Sequence, residues 1–297
     1  MPRIVKRAPS PVGTVLGMGL TLLLCGCGIR AGLTIWATQP VIEGAMASLL
    51  SETDPDLARE GLESQLKLLE GLLNVRPDDL RLLELAVRGF TGYAMMFLEP
   101  EDTLRARMMY RRAVDYGMRA LSRRDARFAR DDLTWAEFEP GIRHLKSRDI
   151  AIVYWTANAL AGLVNLGRTS PQALADAPRA VALMQWVYEK DCHYYFSGPL
   201  WFFGTYYATL PPLAGGNLEL ARSYFTRAIE AHGDRFLWGK LLFAQYYAVQ
   251  ALDRALFTEL LGEIATGATD EPPELRLINR VAARRAIELL SKTDEIF

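Results

Sequence analysis

The sequence predicts an all-α chain: a superhelical, solenoid-like stack of tetratricopeptide-like helical hairpins. Three observations carry this. No stretch alternates apolar and polar residues for long, as a half-buried strand requires. Apolar residues instead recur at helical spacing, as at Leu200, Phe203, Gly204 and Tyr207. One hairpin skeleton also occurs twice. Gly89 lies 17 residues before Ala106, and Gly204 lies 17 before Ala221. Tyr110 and Ala113 follow the first alanine at +4 and +7, as Phe225 and Ala228 follow the second. Small residues let two helices approach, and aromatics fill the gap beside them. The ordinary hairpin of this type has a spacing of about 12, so both copies carry a similar extension.

Residues 1–26 read as a targeting segment rather than a fold. Arg3, Lys6 and Arg7 form a basic start, and an apolar run from Val15 to Leu24 follows. That run is shorter than the roughly 20 residues of a membrane span. Leu24-Cys25-Gly26-Cys27 resembles the bacterial lipobox. The expectation is cleavage after Gly26, diacylglycerol on Cys27 and acylation of the new amino terminus. Cys25 fits poorly as the modified residue, because Leu24 before it is not small. Gly28, not Asp, follows Cys27, so no inner-membrane retention signal is present. The expected location is the periplasm, lipid-anchored, at the outer rather than the inner membrane.

Residues 27–45 read as a tether, and 46–297 as a single domain. Asp54-Pro55-Asp56 starts a helix with a cap and a first-turn proline. Its apolar stripe is Leu57, Gly61, Leu62, Leu66, Leu69 and Leu73. Residues 74–79 end that helix and start the next. Glu99-Pro100-Glu101 interrupts the first extended hairpin, and Pro211-Pro212 with Gly215-Gly216 the second. Residues 134–146, with Pro140-Gly141, read as irregular. Ile150–Leu166 carries no charge and reads as a buried inner helix; Thr156, Asn158 and Asn165 weaken a membrane span. Ser170-Pro171 and Ala177-Pro178 mark a connection to an outer helix at Arg179–Glu189. Asn217 caps the second helix of the later hairpin, with Glu219 in its first turn. Gly233-Asp234 turns into helices at Phe236–Ala251 and Arg254–Ile264, and Pro272-Pro273 opens a last helix from Glu274 to about Thr293.

Composition narrows the function. Of 297 residues, half are apolar and 23% are charged, which is that of a folded protein. The formal net charge is −1, and removing the basic leader leaves a mildly acidic chain, so no nucleic-acid surface is expected. Arginine clusters such as Arg105, Arg107, Arg111 and Arg112 are interleaved with acids and read as solvated helix faces. The three cysteines, Cys25, Cys27 and Cys192, give neither a disulfide framework nor zinc spacing. Cys192 and His193 are adjacent, and adjacent side chains point apart, so no metal site and no activated nucleophile is expected there. No phosphate-cradling loop, nucleophile elbow or paired-carboxylate context occurs. The chain is not expected to be an enzyme, and no catalytic residue is assigned.

The aromatics are the surplus. Leu200, Phe203 and Tyr207 share the face expected to meet the partner helix, whereas Trp201, Phe202 and Tyr206 lie off it. With Tyr154, Trp155, Asn158, Tyr246 and Tyr247 they form the candidate groove for a ligand or partner. Tyrosine brings a large apolar body with a polar tip, which suits a binding surface.

LADAPRAVALMQWVYEKD, WFFGTYYATLPPLAGGNLELARSYFTRAIE, GKLLFAQYYAVQALDRALFTELLGEI and PPELRLINRVAARRAIELLSKTDEIF closely resemble the TRAP-transporter-associated TatT lipoproteins. The resemblance runs from about residue 45 to the end. It is most specific at Pro211-Pro212 with Gly215-Gly216, at Gln245-Tyr246-Tyr247-Ala248 and at Asp294-Glu295-Ile296-Phe297. It implies a periplasmic lipoprotein with cryptic tetratricopeptide motifs, able to form a homotrimer. It also implies a partner, the periplasmic solute-binding protein of a TRAP-type transport system, and a hydrophobic pore through each protomer that passes apolar ligands. No cofactor beyond the N-terminal acyl groups is expected. The competing expectation is a tetratricopeptide scaffold lipoprotein in envelope or outer-membrane assembly, binding peptide segments in its groove.

Overall fold

A computed structural model describes residues 40–130, 132–167, 170–233, 235–267 and 272–297. The targeting segment and Cys27 lie outside the described residues, as does Asp234 of the expected Gly233-Asp234 turn. The chain divides into two compact units at Ser48/Leu49. Helix α1 (Pro40–Leu50) begins inside the stretch expected as tether. The rest belongs to the second unit.

Helices α2 (Pro55–Val75) and α3 (Leu80–Tyr93) start as their sequences dictate. Asp54 accepts from the backbone N–H groups of Asp56 (2.9 Å) and Leu57 (3.3 Å). Asp79 does the same for Arg81 (3.0 Å) and Leu82 (3.2 Å). These side chains satisfy donors that a helix N-terminus leaves unpaired. On α2 the buried stripe is Ala58, Leu62, Leu66, Leu69 and Leu73; Leu57, expected in it, is exposed. Helix α3 runs on into a π turn at Ala94–Leu98 before α4 (Thr103–Ser122). Then follow α5 (Trp135–Ile142), α6 (Ile150–Leu166), α7 (Pro171–Lys190) and α8 (Tyr194–Thr209). Helix α9 (Leu218–His232) is capped by Asn217, as expected, through the Leu220 N–H (2.9 Å). Helix α10 (Leu237–Leu242) continues as a π segment at Phe243–Ala248. Helices α11 (Arg254–Gly267), α12 (Arg276–Ser291) and α13 (Thr293–Ile296) end the chain. No strand occurs among the described residues, and the fold is all-α.

Two expectations are corrected. Residues 134–146 are not irregular: α5 forms there because Thr134 and Glu137 make a capping box, and Pro140-Gly141 sits inside it. Helix α7 does not begin at Arg179. It starts at Pro171, a favourable first-turn proline, with Ser170 accepting from the Ala173 N–H (3.2 Å), and it runs through Pro178. Tertiary packing against α5, α6 and α8 holds it together across that proline.

Helices α2 and α3, α3 and α4, α6 and α7, α8 and α9, and α11 and α12 pack as neighbouring pairs; α3 and α4 also pack on α6, and α5 packs on α7. The two extended hairpins differ in one contact. A Cβ on Gly204 would lie 2.9 Å from the Phe225 ring of the partner helix, so glycine there sets the approach of α8 and α9. Gly89 instead faces Leu66 of α2, and Tyr110, the counterpart of Phe225, packs on Gly162 of α6. The stack also returns on itself, because α12 packs on α2 as well as on α10 and α11. Arg276 donates to the Ser51 carbonyl (3.0 Å), and Arg284 pairs with Asp56 (2.8 Å). Helices α3, α4, α6, α7, α8, α10 and α12 all contribute residues to one inner wall. Ser147–Leu166, a short turn continued by α6, is long and apolar enough to cross a membrane by composition, yet just over half of its apolar window is buried within the fold.

Candidate functional site: an aromatic cavity

The inner wall encloses a cavity of about 850 Å³. That lies near the top of the roughly 300–1,000 Å³ range of small-molecule pockets. Helical periodicity builds it. Tyr154, Trp155, Asn158, Ala161, Gly162 and Asn165 form one stripe of α6. Gly198, Trp201, Phe202, Thr205, Tyr206 and Thr209 form the matching stripe of α8. Arg285, Glu288, Leu289 and Lys292 continue the lining on α12. Both π segments contribute, through Met95 on one side and Gln245 and Tyr246 on the other. Such turns shift the helical register by a residue and re-aim side chains and carbonyls.

Of the eight groove residues expected from sequence, Tyr154, Trp155, Asn158, Trp201, Phe202, Tyr206 and Tyr246 line this cavity. Tyr247 does not. One residue on from Tyr246 it faces the core, 5.0 Å from the Phe243 ring and 6.4 Å from Phe225. Trp201 is only 2% exposed, so most of its ring is core. Its indole N–H donates to the Phe196 carbonyl (2.8 Å), and Gly239 abuts its other face. Asn158 donates back to the Tyr154 carbonyl (2.9 Å). Tyr154 sits among Tyr194 (5.3 Å), Tyr195 (5.5 Å) and Trp155 (5.1 Å), and burial raises its hydroxyl pKa. Burial, then Tyr207, raises that of Tyr206. The Arg88 guanidinium lies over both Trp155 (5.8 Å) and Tyr195 (5.7 Å), closing this wall from outside.

Tyr195 comes from an unusual turn. Tyr195, Phe196 and Ser197 have φ of 46°, 56° and 64°, a left-handed turn made without glycine. Each such residue costs about 1–2 kcal/mol. Packing over-determines the turn: Phe196 stacks on Phe236 (5.8 Å), and Ser197 is fully buried. The Ser197 hydroxyl lies 3.0 Å from His193 Nδ1 and 2.9 Å from His232 Nδ1. A hydroxyl has one proton to give, so at least one of these Nδ1 atoms carries a proton and donates to it. Burial, then His193, lowers the pKa of His232. His193 thus engages Ser197, while Cys192 is a free, half-buried thiol. Among the described residues no group of three His, Cys, Asp or Glu side chains is placed to hold a metal ion.

Sequence reading missed a polar end to the cavity. Glu99 follows the first π turn and accepts a hydrogen bond from the Tyr110 hydroxyl. Burial holds its carboxyl pKa above the ordinary value, against the lowering pull of Tyr110 and Arg285. Arg285 donates to the Met95 carbonyl (3.2 Å) and lies 5.0 Å over the Trp238 ring. The hydroxyls of Thr91 and Thr205, on the same wall, have no hydrogen-bond partner among the described residues. Glu99 and Arg285 lie far apart in sequence, and no local pattern relates them. Chemically the cavity offers a long aromatic surface, a few hydroxyls, one largely buried carboxyl group and one guanidinium.

No curated protein matches the chain. The model of one family does, over residues 51–297, which is the whole closed stack from the turn before α2 to the end of the chain. The chain belongs to the TRAP transporter T-component (TAtT) family.

Proposed function

We propose that this protein is a non-enzymatic, lipid-anchored accessory of a TRAP-type transport system that docks the system's periplasmic solute-binding protein and passes it a hydrophobic ligand. The observation that supports this is the aromatic cavity of about 850 Å³ in a chain of a transport-component family. A packed core would fill that space with side chains. An enzyme would need a nucleophile or acid–base pair facing an open site. Aromatic walls with few polar groups suit reversible uptake of an apolar molecule.

The anchor is the acylated Cys27, facing the periplasm at the outer membrane, and the working form is a homotrimer. Native mass spectrometry of the protein with the solute-binding protein of its transport system tests the core of this reading. A complex, or apolar molecules carried over from the cell, is the expected result. No complex under any ligand condition would overturn the docking role. Partner binding abolished by changing polar groups at the cavity mouth, with no lipid ever bound, would favour a peptide-binding scaffold instead.

A further inference from the structure

The charges in the cavity are few and uneven. Glu288, on the last turns of α12, and Lys292, just after it, are exposed at the cavity, and Glu288 also acts electrostatically on Arg285. Glu99 and Arg285 lie inside. Arg285 makes no ion pair within 4 Å among the described residues; its partners are a carbonyl and the face of an indole. Glu99 is its electrostatic neighbour but is engaged by Tyr110. The two charges are not equivalent. A carboxyl can shed its charge by taking a proton, whereas a guanidinium keeps its charge at any accessible pH. Burial moves Glu99 towards the neutral acid. Among the described residues, the cavity charge with no carboxylate inside ion-pair distance is therefore that of Arg285, at one end of a long apolar wall.

Resting on the reading of this cavity as a ligand site, we propose that its ligand is an amphiphile with a single carboxylate head, seated at Arg285. The tail lies along the α6 and α8 stripes, past Trp155, Phe202 and Tyr206. The guanidinium fork matches a carboxylate in a bidentate pair, and one negative charge cancels one positive charge. A dianionic phosphate head would bring excess charge beside Glu99. A cationic head would meet Arg285 unshielded. A neutral head would leave Arg285 with the partners it has now. Thr91, on the same wall, holds spare hydrogen-bonding capacity close in sequence to Met95.

Three submicellar probes of equal chain length test this on the intact protein: dodecanoate, dodecanol and dodecyltrimethylammonium, followed by tryptophan fluorescence and calorimetry at pH 8. Dodecanoate is expected to bind at least about tenfold more tightly than dodecanol, the ratio a charge-assisted hydrogen bond supplies. The ammonium probe is expected to bind least. Arg285→Met is expected to remove the preference for dodecanoate and to leave dodecanol affinity within about twofold, while Arg285→Lys restores part of the preference. Equal affinities for dodecanoate and dodecanol, or a preference for the ammonium, would overturn the carboxylate head and leave the apolar cavity intact as a site. Binding of none of the three would overturn the cavity reading and this inference with it. If Arg285→Met fails to fold, the head-group comparison on the wild-type protein still decides.

Discussion

Ser197 shows how one buried hydroxyl can hold an unfavourable backbone. It closes a left-handed turn of three non-glycine residues and bridges His193 and His232. Ser197→Ala removes the hydrogen bonds from a buried hydroxyl to one exposed and one half-buried imidazole. A loss of about 1 kcal/mol in urea unfolding is expected, and a loss near zero would show that packing alone holds the turn. Glu99 gives a second prediction, with a definite sign. Its native pKa lies above the ordinary value of 4.5, because burial disfavours the charge. The folded protein therefore binds that proton more readily than the unfolded chain. Its contribution to stability is complete below pH 4.5 and is lost as pH rises through the native value. Glu99→Gln, which cannot ionise, is expected to match wild type in acid and to gain on it as pH rises, in thermal melts from pH 4 to 8. Neither residue could be singled out from sequence. Tyr195-Phe196-Ser197 contains no glycine to mark a positive φ, and Glu99 read as an ordinary turn residue beside Pro100.

Whole elements were easier to read than single residues, because caps and stripes are local. Asp54, Asp79 and Asn217 cap the helices they precede, and the α6 and α8 stripes carry the surplus aromatics that line the cavity. Misreadings arose where local signals conflicted. Thr134-Trp135-Ala136-Glu137 is a capping-box pattern, but Pro140-Gly141 outweighed it on paper and not in the fold. Pro178 likewise suggested an end to a helix that its neighbours sustain. Helix α10 illustrates a cap that no sequence window contains. Phe236 precedes it and has no polar side chain, so Asn279 of α12 accepts from the Leu237 N–H (3.0 Å) and donates to the Arg235 carbonyl (2.7 Å). Asn279 is 1% exposed. Asn279→Ala is expected to cost about 1–3 kcal/mol, since it strands the buried Leu237 N–H and frees the part-buried Arg235 carbonyl. Asn279→Asp keeps the acceptor alone and is expected to recover part of the loss. Denaturant midpoints of the two variants check this.

At the scale of the molecule, the all-α class was legible and the contact of α12 with α2 was not. Hairpin patterns repeat along the sequence, whereas the contact of α12 with α2 joins surfaces with no pattern in common. Closure brings Arg285 and Leu289 of α12 to the aromatic face and completes the cavity lining. A ligand held there by the native state alone stabilises it by mass action, by about 2.7 kcal/mol at a hundredfold excess over its dissociation constant. Dodecanoate at such an excess is expected to raise the melting temperature, and Arg285→Met to erase most of that rise. The exposed Arg284–Asp56 pair at the seam is expected to matter little, with Asp56→Ala leaving the denaturant midpoint essentially unchanged.

The seam also sets the order in which the chain can fold. Each hairpin forms from contacts near in sequence, but the Arg276–Ser51 bond closes a loop of 225 residues. The entropy of closure rises only slowly with loop length, yet it must be met before the distant contacts return anything. Docking of α12 is thus expected to be the last and slowest folding event. Until it happens, Trp155, Phe202 and Tyr206 face water on an open concave surface. That nascent state is the one most exposed to aggregation, so a newly made chain depends most on dilution or chaperones in the interval before its final helix arrives.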